Sequence, residues 1–217
     1  MATLIRTYNV AAIGRPFGIC HDGKYIVWLD ATNNRMRWME PDTGTEVRST
    51  DISGPAITHI GLYHEPNSNR FWSTGFAGDH IMCWTAAGEL IRDLNWGGPN
   101  NRAVVIVDDY LFVMDQTNNR IAQWRLSDGG FIRSFGNLMA LVDMNFYGLD
   151  WDGVNFWCVG ALGNNVYQLR LYQNEAIRVL QTIDIAAADG TPVDVCVVDK
   201  CFYVAGDEHD QIYKYRF

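Results

Sequence analysis

Two stretches of this chain align without a gap: 30–50, DATNNRMRWMEPDTGTEVRST, and 115–135, DQTNNRIAQWRLSDGGFIRSF. Each holds Thr-Asn-Asn-Arg, then an apolar run, a Gly turn and a second apolar run with Arg-Ser in it. Self-similarity of this kind constrains folding strongly, because a single repeat cannot bury its apolar face alone. Fainter copies occupy 75–94, 160–180 and 206–217, and the last stops halfway. The first apolar residue after each turn is Met36, Ile81, Ile121, Val166 and Ile212, at intervals of 45, 40, 45 and 46 residues.

A period of that length built from short strands predicts an all-β fold, a five-bladed β-propeller with four antiparallel strands per blade. Asp22-Gly23 and Asp152-Gly153 sit between apolar runs and read as tight hairpins, since such residues tolerate positive φ. Fourth strands read EVRST (46–50), LIRDL (90–94), FIRSF (131–135) and AIRVL (176–180), and the fifth unit lacks one. LIRTY (4–8) supplies it, so the N-terminal strand is expected to pair with the C-terminal blade and close the ring. The expected organisation is one propeller over 1–217. Its blades lie at about 15–51, 54–95, 101–136 and 145–185, with the fifth at 191–217 plus 3–9.

The stretch GRPFGICHDGKYIVWLDATNNRMRWMEPDTGTEVRS resembles an NHL repeat. It carries Pro-x-Gly, apolar alternation, Asp-Gly, an aromatic-apolar strand ending in Asp, and then Asn-Asn-Arg. Such rings usually have six blades, so five is a departure. The resemblance implies a propeller and leaves activity open, because relatives include protein-binding platforms, RNA-binding domains, and lyases or hydrolases.

Composition narrows the partners. A net charge of −8, with only three Lys beside fourteen Arg, lacks the basic footprint that nucleic acid requires. No apolar run reaches the length of a membrane span, and no secretory signal is visible. The expected location is therefore cytoplasmic or assembly-associated, without membrane or nucleic-acid partners. Five Cys, an odd number without a C-x-x-C pair, read as buried reduced thiols. The five His share no ligand spacing, so neither a metal nor another cofactor is expected.

Candidate binding residues gather where loops between second and third strands, and between blades, meet the channel mouth. They are Arg15, Asp30, His59, His80, Trp96, Arg102, Asp115, Asp150, Asp194 and Asp210. The Asn-Asn turns are expected to be structural. His59 and Asp194 stand where other inner strands carry Gly18 and Gly148, so they break the repeat. Trp96, in a Gly/Pro-rich loop, is an anchor for a partner or a Trp tucked between blades. Arg6, Arg48, Arg92, Arg133 and Arg178 recur on fourth strands, either shielding blade edges or offering a positive rim.

No catalytic set is recognisable. The favoured reading is a non-catalytic module binding a protein or other macromolecular partner, for instance as a structural subunit of an assembly such as a virion. The alternative is a hydrolase or lyase with His59, Asp150 or Asp194 at the channel mouth. A second alternative is carbohydrate binding.

Overall fold

Short apolar strands punctuated by Asn, Asp and Gly turns form twenty β-strands among the described residues. The computed structural model describes residues 2–54, 58–75, 80–95, 100–136, 138, 146–160, 163–185 and 191–217. Blade 1 contains β2 (Pro16–His21), β3 (Ile26–Asp30), β4 (Arg35–Met39) and β5 (Glu46–Asp51). Blade 2 contains β6 (His59–Glu65), β7 (Arg70–Gly75), β8 (His80–Thr85) and β9 (Leu90–Asn95). Blade 3 contains β10 (Asn101–Val107), β11 (Tyr110–Asp115), β12 (Arg120–Arg125) and β13 (Phe131–Phe135). Blade 4 contains β14 (Phe146–Trp151), β15 (Phe156–Gly160), β16 (Asn165–Leu171) and β17 (Ile177–Asp184). Blade 5 joins β18 (Pro192–Val198), β19 (Cys201–Gly206) and β20 (Gln211–Arg216) to β1 (Thr3–Asn9).

The ring closes as the repeat count requires. β1 runs antiparallel to β20, from Thr3 opposite Arg216 to Asn9 opposite Gln211. Inner strands meet in sequence around the axis: β2 on β6, β6 on β10, β10 on β14, β14 on β18, and β18 on β2. Apolar cores fill the joints between blades. Trp38 and Phe71 meet between blades 1 and 2, Phe112 and Phe156 between blades 3 and 4, and Phe202 and Tyr215 join the blade 4–5 core. The turn asparagines behave as turn residues: Asn34, Asn119 and Asn164 all have positive φ, as Asp210 does in blade 5.

The outer strands repeat a second device. Each has one residue bulged out of register: Ile5, Val47, Ile91, Ile132 and Leu180. The next residues are Arg6, Arg48, Arg92, Arg133 and Gln181. Three of these arginines latch a blade to its neighbour. Arg48 donates to the Ala86 carbonyl, Arg92 to that of Leu126 at 3.3 Å, and Arg133 to that of Gln173 at 2.9 Å. Between blades 5 and 1, Tyr8 Oη and Lys214 Nζ donate to the Pro41 carbonyl. The fourth-strand arginines are therefore fold residues where their bonds are shown. The counterpart in blade 4 is Gln181, whereas lining up the fourth strands by sequence pointed to Arg178. The longer β17 places its bulge at Leu180.

Candidate functional site

The axis of the ring is built in layers, because residues two apart on a strand face the same side. Two residues into each inner strand come Gly18, Gly61, Ala103, Gly148 and Asp194. The small residues let the backbones close in. A Cβ on Gly61 would lie 2.6 Å from the Arg102 carbonyl oxygen, and one on Gly148 would lie 2.7 Å from Asp194 Cα. Both glycines also have positive φ. Asp194 replaces the small residue in blade 5, and its fully buried carboxylate is bound across the axis. Oδ2 accepts from the amides of Ile19 at 2.8 Å and Leu62 at 3.0 Å, and Oδ1 accepts from Val195 at 2.9 Å. Burial pushes this carboxyl well up, while the three amides favour the anion.

The next inward-facing layer is Cys20, Tyr63, Val105, Asp150 and Cys196. Four of these, with His21, His64, Trp151 and Val197, line an axial cavity of about 120 Å³. It opens towards the hairpins between first and second strands, and Pro66 of one such hairpin borders it. Sequence reasoning placed the binding end at the opposite mouth.

Asp150 dominates the electrostatics of this cavity. Its Oδ2 accepts from the Val197 amide at 2.6 Å. Burial raises the carboxyl to about 7, against the pull of that amide and the Trp151 amide. It can therefore hold or release a proton near neutrality. Burial also lowers His21. His64 Nε2 meets Asn69 Oδ1 at 3.0 Å, and its buried Nδ1 has no partner among the described residues. Burial, reinforced by Asp150, pushes the Cys20 and Cys196 thiols well up, so neither is a thiolate at neutral pH. The five cysteines are free. Among the described residues no three His, Cys, Asp or Glu side chains are placed to hold a metal ion.

In fold, this molecule is similar to Myxococcus xanthus glutaminyl cyclase. The TM-score is 0.79 at 12% identity, covering 99% of this chain and 95% of that one. A Bacteroides thetaiotaomicron structural genomics protein of unknown function gives a TM-score of 0.60 at 13% identity, covering 99% of this chain and 75% of that one. Selenomethionine-substituted virginiamycin B lyase from Staphylococcus aureus gives 0.57 at 14% identity, with full coverage of both chains. At these identities the likeness is one of fold. No family model matches the sequence, and no curated protein matches it.

The other candidates are spread around the wheel. Asp30 is buried and caps its own turn. Its Oδ1 accepts from the amides of Arg15, Thr32 and Asn33, and its Oδ2 from Arg37 Nε at 2.8 Å. Asp115 does the same for Asn118 and Arg120. Arg15 pairs with Asp207 and lies over Phe17. His80 Nδ1 and Asp93 Oδ1 are 2.6 Å apart. Arg102 donates to Gln116 at 2.6 Å and lies over Tyr147, with its guanidinium lowered by burial. The Asp210 carbonyl accepts from the Val10 amide. Trp96 lies outside the described residues.

His59 is the first residue of β6, two positions before Gly61, the true counterpart of Gly18. It packs edge-on against Trp84 at 5.0 Å and does not line the axial cavity, and burial lowers it to about 4. The structure thus groups Asp150 and Asp194 on the axis and leaves His59 apart. Sequence reasoning missed His21, His64, Tyr63, Cys20 and Cys196. The signal was present in the aligned inner strands GICH, GLYH, AVVI, GLDW and DVCV, where a small residue or Asp precedes the two lining positions.

Proposed function

We propose that this propeller is a non-catalytic interaction module that engages a protein or other macromolecular partner through its rim, in keeping with the NHL-repeat resemblance. One observation carries the reading. The bulged residues Ile5, Val47, Ile91, Ile132 and Leu180 are all aliphatic, one per blade, and between 37% and 45% exposed. Bulges guard edge strands from pairing, but charged side chains serve that purpose better than aliphatic ones. Five exposed apolar groups at matching places suit a partner that wraps or abuts the wheel. A role as a structural subunit of an assembly such as a virion is consistent with this rim.

The test is capture from a lysate of the source cells by the immobilised chain, compared with the variant V47E/I132E/L180E. A partner retained in fixed ratio by the first and lost by the second supports the reading. Equal retention by both overturns it.

A hydrolase or lyase centred on the axial cavity is the second reading, favoured by the near-neutral Asp150 carboxyl. The glutaminyl cyclase and virginiamycin B lyase folds show that enzymes occur on such rings. Turnover abolished by D150N and untouched by the rim variant would support it. Carbohydrate binding at five equivalent sites fits poorly, because the clefts between blades differ in their side chains.

A further inference from the structure

The cleft between blades 4 and 5 differs from its counterparts in a way that points to a ligand. In blade 1 the hairpin carboxylate Asp22 accepts from Trp38 Nε1 at 3.0 Å, and the latch residue Arg48 lies 4.3 Å over that indole. The cleft left there is about 270 Å³ and includes Arg48. In blade 4 the equivalent hairpin carboxylate, Asp152, accepts from an indole one strand further in, Trp157 Nε1 at 2.7 Å, and Gln168 stands where blade 1 has Trp38. Here the latch position holds Gln181, which is neutral and shorter. The cleft is about 420 Å³; the one between blades 2 and 3, which Arg92 and Arg125 line, is about 490 Å³, so what sets this cleft apart is a lining without arginine and not its size.

Its lining has a consistent chemistry. Phe217 rests on Trp157 at 5.1 Å and on Phe202 at 5.2 Å, yet remains 44% exposed. A ring fixed on one side and open on the other offers a flat apolar platform. Gln168 and Gln181 face each other across strands β16 and β17, and neither side chain has a hydrogen bond among the described residues. Each amide carries two donors and a carbonyl acceptor. Asp199 and Asn155 complete the polar wall. No lysine or arginine lines the cleft among the described residues, so nothing there favours a phosphate or carboxylate.

We propose that this cleft binds one neutral pyranose sugar, with its C–H face on Phe217 and its vicinal hydroxyls on the Gln168 and Gln181 amides. The paired amides match adjacent hydroxyls because both groups donate and accept. The site is single, because only this joint lacks an arginine at the latch position. It is independent of the rim reading and does not involve the axial cavity.

The experiment is saturation-transfer NMR and calorimetry on the full chain with glucose, galactose, mannose, N-acetylglucosamine, lactose and maltose. Three variants accompany it. Q181R installs the side chain that other blades carry at this position and puts a guanidinium, which only donates, in place of one of the two amides. F217A removes the platform. R48Q makes the reverse exchange in blade 1. The expected result is binding of at least one sugar, weakened about tenfold or more by Q181R and F217A and unchanged by R48Q. Absence of binding by every sugar overturns the proposal, as does binding indifferent to Q181R.

Discussion

The carboxylate of Asp194 accepts the amide proton of Leu62 at 3.0 Å, although 132 residues separate them in the chain. With the Ile19 amide at 2.8 Å, it ties the inner strands of blades 5, 1 and 2 together at the axis. D194A leaves both amides buried without an acceptor, which costs about 3 kcal/mol. D194N keeps an oxygen for those two amides but turns an NH2 towards the Val195 amide that Oδ1 accepts from, so its loss is the smaller, about 1 kcal/mol. Urea unfolding of the two variants checks this, and equal stability for D194A and wild type contradicts it.

Two glycines with positive φ separate strain from crowding. Gly148 has φ +48, and an added Cβ meets Asp194 Cα at 2.7 Å. Gly23 has φ +97 with nothing within 4 Å. G23A is expected to cost about 1 kcal/mol through backbone strain alone. G148A adds a clash with fixed backbone and loses about 2 kcal/mol more. Thermal unfolding distinguishes them, and matching midpoints refute the close approach at the axis.

Two buried groups give opposing pH dependences. Asp150 is raised to about 7 from an unfolded value near 4, so the native state binds the extra proton between those limits. Its contribution is complete below about pH 4 and is lost as pH rises through 7, amounting to about 4 kcal/mol at most. His59 is lowered to about 4, so its contribution is complete above about pH 6.5 and is lost as pH falls towards 4. Between pH 4.5 and 6.5, roughly, the slopes cancel in the wild type. D150N is expected to gain stability with rising pH there, and H59F to lose it. Denaturation midpoints across that range test both signs.

Ring closure was legible because β1 is needed to complete a counted set of strands, and a count survives sequence divergence. The turn roles of Asn34 and Asn119 were legible because left-handed backbone selects few residues. The latch in blade 4 was not: a bulge at Leu180 shifts the register without leaving a gap in sequence, which made Arg178 look equivalent to Arg133. The axial cavity was hidden for another reason. Cys20, Tyr63, Asp150 and Cys196 share a layer but no chemistry, so only the offset within each inner strand unites them. Asp30 and Asp115 looked like surface ligands because sequence does not reveal that their oxygens are already occupied.

The central claim is that the rim, and not the axis, meets the partner. Amide hydrogen exchange on the chain, alone and with its captured partner, addresses this directly. Slowed exchange along β1, β5, β9, β13 and β17, with Cys20–His21 and Tyr63–His64 unchanged, is the predicted pattern. Protection centred on those axial residues, with the outer strands unaltered, would contradict the account.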